Sequence, residues 1–456
     1  MIDARVTEPT TRIGFGRADI TPPVGVELAG FGPYLRRRST GVHGRIYARA
    51  VAVESSTGRW LLVSCDLMGL GAEQVRDVVA LTVQRTGWRA DDVAVHATHN
   101  HSGPAAVENH GWGEPDRVYL AQLPELIARA CLDAISGARP ARVSHAEVPL
   151  DAFAYNRMLP RRGLTNERAL AGTWREPEPD TIDTSVRVLR VDHGEELAGF
   201  LVYYSCHPVI CCEQSTTIHG DFPGEALRLL EIAYPRATGL FLQGALGNIN
   251  PLYAHGPPAE SLVALELFGS KLAECVDHGI RAAQPIDAAP IAVAMAEVAH
   301  EPNPHRLDEL RRRRDEAQHL INSTPADQVA AEKATAAVVR NSLNGTIERL
   351  ERGANVGGPV WCQALRIGPI TLLGYNLEVF HGIKRRLQAD LGDECLVLST
   401  TNGWLGYAPT RDAYQPPADP YPAYEVPLIC GRLPFHPGIE DDLVDAGVHL
   451  FKQVNP

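Results

Sequence analysis

Val93-Ala94-Val95-His96-Ala97-Thr98-His99-Asn100-His101-Ser102-Gly103-Pro104 is the stretch that decides how this chain folds. Its first five residues form an apolar run that reads as a buried strand, and Ser-Gly-Pro supplies turn chemistry at its end. Upstream, Trp60–Asp66 reads as a second strand and Ala72 to Thr86 as a helix. Strand, helix, strand is a βαβ unit, so part of the sheet is expected to be parallel. Histidines at i and i+2 of an extended segment point to opposite faces. His99 and His101 therefore share a task only if the backbone turns between them. A strand end that presents imidazoles into a cleft suits metal or acid–base chemistry in α/β folds.

The same pattern continues outward. Arg45–Glu54 reads as a largely buried strand, and Val186–Val191 with Gly199–Tyr204 as a hairpin ending at Cys206-His207-Pro208. A helix near Pro223–Ala233, a strand Gly239–Leu242, a helix Leu262 to about Ala282 and a strand Ile291–Val298 follow. Residues 305–352 differ: Leu307, Leu310, Ala317 and Leu320 fall at helical spacing, and the pattern resumes beyond a break at Asn322-Ser323-Thr324-Pro325. Arg311 to Arg314 is flanked by Asp308, Glu309, Asp315 and Glu316, which makes it a solvated, salt-bridged face rather than an anion site. Val360–Ile367 and Ile370–Leu373 form a further hairpin, with a helix from Glu378 to Leu391 and a strand Leu396–Thr400. The expected fold is α/β: a mixed central sheet with flanking helices and an inserted helical hairpin at about 305–352, the whole chain forming one domain.

Composition narrows the partners. With 456 residues, 45% hydrophobic and 21% charged, the chain can bury a large core. A formal net charge of −12 argues against nucleic acid and anionic membrane surfaces as principal partners. No apolar run approaches the ~20 residues of a membrane span, and Met1–Glu8 lacks the apolar core of a secretory signal. The nine cysteines form no Cys-x-x-Cys pair and sit mostly in apolar segments, where they behave as small hydrophobes. A cytoplasmic location is the expectation.

Three further sites end apolar segments with polar groups: Cys206-His207-Pro208, Leu373-Gly374-Tyr375-Asn376-Leu377-Glu378, and the loop Asn402-Gly403-Trp404-Leu405-Gly406-Tyr407. Each has a structural alternative: a histidine satisfied locally before proline, a helix-capping glutamate, a packed loop tyrosine.

His99-Asn100-His101-Ser102-Gly103-Pro104 resembles the Thr-His-Thr-His-Ser-Gly-Pro signature of the neutral/alkaline non-lysosomal ceramidases. Gly14-Phe15-Gly16-Arg17-Ala18-Asp19-Ile20-Thr21-Pro22-Pro23 is similar to that family's opening, Asn156-Arg157 to its Asn-Arg-Ser-Pro segment, and Cys206-His207-Pro208 to its Val-His-Pro-Thr. Gln243 to Pro251 parallels its Asn-x-Gly-Asp-Val-Ser-Pro motif, and Tyr407 to Tyr414 its Tyr-x-Thr-Thr-x-Glu-Glu-Tyr. The resemblance runs from Gly14 to about Glu425. It implies a zinc amidohydrolase whose metal ligands fall on His99, His207, Glu378 and Tyr407, a set of imidazoles, carboxylate and phenol that suits Zn²⁺.

By the same resemblance His101 relays a proton to the leaving group, while Arg157 and Tyr424 face the developing oxyanion. The segment Gln415-Pro416-Pro417-Ala418-Asp419-Pro420 lengthens the family's spacing, so Tyr414 and Tyr421 stay open for that role. Asp66 and Asp221 are candidates for orienting the ligand histidines, and His219 has no family counterpart. The larger members carry a C-terminal immunoglobulin-like domain, for which the tail after Tyr424 is too short. The expected substrate is a small-molecule or lipid-like amide. A smaller soluble amide, ester or lactone, or a zinc-stabilised binding protein without turnover, are the alternatives. A metallophosphatase is disfavoured because no aspartate cluster suits a two-metal clamp.

Overall fold

The computed structural model describes residues 11–32, 36–109, 111–300, 306–323, 330–354 and 356–456. The opening residues 1–8 and the interhelical break at 324–325, both read above from sequence, lie outside them. Three mixed sheets stand where one mixed sheet was expected. The first runs Val93–Ala97, Arg59–Cys65, Tyr47–Glu54, Arg12–Asp19, Arg139–Pro140. The second runs Thr238–Gln243, Glu196–Tyr204, Ser185–His193, Arg142–Pro149, Gln284–Ile286, and the third Ile291–Glu297, Trp361–Ile367, Ile370–Tyr375, Cys395–Leu398.

The inner faces of all three sheets meet. Trp60 and Leu62 from the first, Leu201 and Leu240 from the second, and Leu365, Leu372 and Leu396 from the third share one buried apolar cluster. Helices cover the outer faces. Ala72–Thr86 and Arg117–Ser136 pack on the first sheet, Asp221–Ala233 and Pro258–Ala282 on the second, His381–Leu391 and Ile439–Val454 on the third. Helix Ala72–Thr86 matches the periodicity read from sequence, burying Val75, Val78 and Thr82 and ending at Gly87 with φ 72°. Helix Arg117–Ser136, capped by the Asp116 carboxylate on the Tyr119 amide, holds Pro124 in its interior. Its buried Leu120, Leu123, Ile127, Ala130, Cys131 and Ala134 fall at helical spacing, although this element is not among those expected from sequence.

Each sheet contains one parallel pair: Arg59–Cys65 with Val93–Ala97, Glu196–Tyr204 with Thr238–Gln243, and Ile370–Tyr375 with Cys395–Leu398. The chain leaves the carboxyl ends of these strands into loops bearing His99, His207, Glu378 and Tyr407. Loops at the carboxyl ends of parallel strands are the usual place for ligand sites in open α/β sheets. Hydrogen bonds lace the three ends together: Gln243 N–H donates to His96 Nε2 (2.9 Å), Ala97 N–H to Thr400 O (3.1 Å), and Ser399 N–H to Gln243 O (3.0 Å).

The inserted hairpin comprises helices Leu307–Ser323 and Ala330–Glu351. Arg312 pairs with Glu316 and Arg311 with Glu351, so the basic run is the salt-bridged face expected. Among the described residues no helix is long and apolar enough to cross a membrane.

Candidate metal centre

The site begins where the first sheet ends. His99 adopts φ +64°, a left-handed conformation that few non-glycine residues take. Thr98 N–H to Cys65 O (2.9 Å) and Asn100 N–H to Leu67 O (3.1 Å) pin the backbone on either side. The Asn100 side-chain amide donates to the carbonyls of Asp66 and His219. This turn defeats the strand alternation and swings both imidazoles into one space, their Nε2 atoms 3.0 Å apart. Room for His101 comes from Gly30, where φ is +102° and a Cβ would lie 2.5 Å from His101 Nδ1.

His207 follows the second sheet. Glu378 lies in a two-residue strand, Glu378–Val379, paired in parallel with Tyr407–Ala408. The helix expected to start at Glu378 starts at His381 instead, because residues 378 and 379 spend their backbone on this bridge. The pairing places Glu378 and Tyr407 side by side, although they are far apart in the chain. All four predicted ligands are buried.

The donor atoms converge with a chemistry that calls for a cation. His99 Nδ1–H donates to Met68 O (2.8 Å) and His207 Nδ1–H to Leu246 O (2.8 Å). A carbonyl can only accept, so each neutral ring carries its proton on Nδ1 and a bare lone pair on Nε2. Those lone pairs face Glu378 Oε2, 3.1 Å from His207 Nε2 and 3.4 Å from His99 Nε2. Three acceptors this close repel one another unless a positive charge sits among them. Burial presses the His207 pKa down to about 4, and the nearby Arg157 and His99 act in the same direction, so a proton is a poor source of that charge. Burial alone would raise Glu378, but its neighbours His99 and His207 and the hydrogen bond from Trp404 bring it to about 2. The separations match the edge of a tetrahedron of roughly 3.3–3.4 Å formed by zinc bonds of ~2.0–2.1 Å. The residues present therefore fit a zinc ion. Backbone carbonyls orient the histidines, rather than Asp66 or Asp221: Asp66 Oδ2 accepts from Tyr47 N–H and Arg49, and Asp221 Oδ1 from Phe222 N–H.

His101 is half-buried against Phe31, with ring centroids 5.0 Å apart. The Nε2 atoms of His101 and His99 stand 3.0 Å apart, and His101 Nδ1 has no partner among the described residues. Burial holds the His101 pKa well below the usual imidazole range, and its histidine and arginine neighbours add to this. Arg157 donates to Gly247 O (2.8 Å) and hydrogen-bonds the Tyr407 hydroxyl, its guanidinium 4.9 Å from that ring. Burial pushes the Tyr407 phenol up, and Arg157 opposes this.

The expectation for Tyr424 needs correcting. Tyr421–Glu425 wind as a π turn, which rotates Tyr424 so that its hydroxyl donates to Tyr414 O (3.0 Å). Tyr421, one of the three tyrosines left open, lies nearer the ligands, its ring 6.2 Å from that of Tyr407 and its hydroxyl within the electrostatic reach of Arg157 and Glu378. π turns of this kind recur at functional sites.

Two neighbours escaped the sequence reading. Trp404 Nε1–H donates to Glu378 Oε1 (2.8 Å), leaving Oε2 for the histidines. The Trp404 ring sits against Gly69, where a Cβ would lie 2.8 Å from the indole Cβ. Partners of this kind typically matter 10–100-fold to metal affinity. Trp404→Phe is accordingly expected to weaken zinc binding by about tenfold or more in a chelator competition; unchanged affinity would remove Trp404 from the site. The other neighbour, His255, lies across Phe31 from His101, ring centroids 5.5 Å apart.

A second cluster, Cys211, His219 and Asp221, also has the residue types of a metal site. Its hydrogen bonding disagrees. His219 Nδ1 accepts from Asp221 N–H (3.1 Å), so the neutral ring carries its proton on Nε2, which faces Cys211 Sγ at 3.5 Å. That nitrogen has no lone pair to give, and burial pushes the Cys211 thiol up to about 12.

The fold, the three-loop site and the motif order define a class. The family model described as neutral/alkaline non-lysosomal ceramidase, N-terminal, matches residues 11–245, more than half of the chain. The chain belongs to that family. It is 28% identical over 255 residues to the neutral ceramidase of Drosophila melanogaster, covering 53% of this chain and 36% of that one. To the neutral ceramidase of Pseudomonas aeruginosa it is 27% identical over 267 residues, 54% of this chain and 38% of that one. The matches thus span well under half the length of these curated relatives. In three dimensions the crystal structure of the Pseudomonas aeruginosa neutral ceramidase superposes with a TM-score of 0.72 and 20% identity, covering 97% of this chain and 74% of that one. A ceramidase complexed with C2 gives 0.73 and 19%, covering 98% and 76%.

Proposed function

We propose that this chain is a zinc-dependent amidohydrolase of the ceramidase type, with His99, His207, Glu378 and Tyr407 holding the metal. The observation that carries this reading is the convergence of two imidazole Nε2 atoms on a buried carboxylate oxygen at 3.1 and 3.4 Å, a donor set that suits a cation. Bound zinc would supply Lewis acidity to the carbonyl and acidify water. The chain's own groups do the rest. As water adds to the amide carbon, charge gathers on the carbonyl oxygen, where Arg157 and Tyr421 donate hydrogen bonds. The C–N bond then breaks and the leaving amine takes a proton, which His101 carries through its half-buried imidazole.

Trp112, Met158 and Tyr421 pack with Phe380, Tyr407, Ile429 and Val338 of the inserted hairpin, forming an apolar wall beside these groups. That wall supports an acyl chain as one half of the substrate. Location in the cytoplasm remains part of the proposal and rests on sequence alone.

An oxyanion donor is typically worth ~3–4 kcal/mol, so Arg157→Met is expected to lower kcat by about 10²–10³-fold while zinc content stays near one equivalent. Parallel loss of metal would place Arg157 among the groups that hold the metal site together instead. The 3.0 Å contact between His99 and His101 also favours a second reading, in which His101 is a third nitrogen ligand. His101→Gln separates the two: a proton carrier loses turnover with metal retained, a ligand loses both. The whole proposal is tested by metal analysis of purified protein beside a hydrolysis screen of N-acyl amides, esters and lactones. One equivalent of zinc with no turnover of any class would leave a binding protein.

A further inference from the structure

Arginines gather beside this site although the chain as a whole is acidic. The chain has 55 acidic against 43 basic side chains, and most of its arginines that pair do so with carboxylates. Arg37, Arg157 and Arg161 differ. Arg37 donates to the carbonyls of Ala29, His101 and Cys212, and Arg161 to the Tyr155 hydroxyl at 3.2 Å. Arg157 is taken up by Gly247 O and the Tyr407 hydroxyl. Among the described residues none of the three meets a carboxylate at ion-pair distance.

They gather around one aromatic ring and one short ribbon. Phe31 has the Arg37 guanidinium at 4.7 Å, His101 at 5.0 Å and His255 at 5.5 Å from its ring centroid. The ribbon pairs Ala154–Asn156 with Ile249–Pro251, Tyr155 lying opposite Asn250. Arg157 and Arg161 continue one of its strands, and His255 continues the other. His255 is exposed and held at φ +57° by its backbone N–H on Val209 O (2.9 Å). A left-handed, non-glycine residue at a site is strain that the surrounding structure sustains, and here it turns an imidazole over Phe31. Partial desolvation first, and then the charges of Arg157 and Arg161, lower His255 below its usual range against the opposing pull of Glu213.

Resting on the amidohydrolase reading, we infer that the substrate's polar half carries an anionic oxygen group, a carboxylate or a phosphate ester, seated between Arg161 and His255 while its acyl chain lies along the Trp112–Met158–Tyr421 wall. Guanidinium forks match carboxylate and phosphate oxygens.

The test uses three amides with one acyl group: N-lauroylethanolamine (neutral), N-lauroylglycine (carboxylate) and N-lauroyl-O-phosphoethanolamine (phosphate). Each is assayed for kcat/KM with the zinc-loaded enzyme. Analogues in which a methylene replaces the amide nitrogen are titrated calorimetrically. The expected result is a preference of about tenfold or more for one anionic amide over the neutral one, the scale of a charge-assisted hydrogen bond. The preferred anion identifies its source. Arg161→Gln and His255→Gln should bring that ratio towards one, and Arg161→Lys, which keeps the charge on an exposed side chain, should retain part of it. Equal handling of the three amides by the wild type overturns the inference and leaves the amidohydrolase reading intact, as does a preference that survives both glutamine variants. Should no amide be cleaved while the uncleavable analogues still show the charge preference, the amidohydrolase reading fails and this inference stands. No cleavage with no preference removes both.

Discussion

Glu378→Gln is expected to abolish zinc binding and turnover while making the metal-free protein more stable than metal-free wild type. The two effects share one cause. In the wild-type site Glu378 Oε1 accepts from Trp404 Nε1–H at 2.8 Å, and Oε2 confronts the lone pairs of His99 and His207. Glutamine keeps its amide oxygen on the indole N–H, since only an acceptor suits that position. Its NH₂ then turns to the two imidazole nitrogens and donates where the carboxylate repelled. The site becomes a satisfied hydrogen-bond network, and no lone pair is left to hold a cation. Lewis-acid stabilisation is worth several kcal/mol, and each ~1.4 kcal/mol is tenfold in rate, so turnover should fall by at least about a thousandfold. Metal analysis, a turnover assay and paired thermal melts with and without chelator measure all of this. A glutamine variant that binds zinc as tightly as wild type would take Glu378 out of the ligand set. His207→Ala should lose the metal as well, but without the gain in metal-free stability, because it opens a cavity in the buried site and supplies no donor to Glu378 Oε2.

Much of this arrangement was open to a reading of residues because apolar runs and what terminates them are local properties. The strands before His99, His207 and Glu378 show as apolar segments, and the polar residue closing each marks a chain end facing out of a sheet. What was not legible depends on backbone geometry or on distant partners. His99 and His101 meet only because His99 sits at φ +64°, and no strand periodicity predicts that. Glu378 looked like the start of a helix because its bridge to Tyr407 joins segments separated by the third sheet's last strand. A π turn sends the Tyr424 hydroxyl to Tyr414 O and leaves Tyr421 beside Tyr407, which residue order alone does not reveal. Trp404 lies in the loop motif that ends at Tyr407 but shows no ligand chemistry in sequence, and His255 carries no motif. The indole matters because the third sheet brings it to a carboxylate, and the imidazole because a ribbon turns it over Phe31. Three sheets rather than one also follow from register, since the inner faces that meet in the shared core are equally apolar in either arrangement.

Asp183→Asn is the substitution expected to cost the most stability away from the metal. Asp183 Oδ1 accepts from His381 Nε2–H at 3.0 Å and pairs closely with Lys384 Nζ, all three groups being almost fully buried. Lys384 also lies 5.2 Å from the Tyr203 ring centroid. The cluster braces both ligand loops from behind. His381 is three residues beyond Glu378, its backbone N–H on Asn248 Oδ1 at 2.8 Å, and Tyr203 is four residues before His207. Burial alone would raise the Asp183 carboxyl, but Lys384 first and then His381 hold it far below the usual range. Asparagine would leave the Lys384 ammonium buried without a counter-charge, which costs about 3–5 kcal/mol. The pH dependence has a definite sign. A carboxyl with a depressed folded pKa contributes stability that is present above its unfolded value of ~3.9 and lost as pH falls through its folded value. The gap between wild type and Asp183→Asn should therefore be full at neutral pH and narrow as the medium is acidified below about pH 4. Urea unfolding of the metal-free proteins at both pH values measures it. Adding Lys384→Met to Asp183→Asn should recover much of the loss, since replacing both charges by neutral groups removes the unpaired ion. A single variant as stable as wild type at neutral pH would mean that Lys384 is already neutral, and that the brace is a hydrogen bond rather than an ion pair.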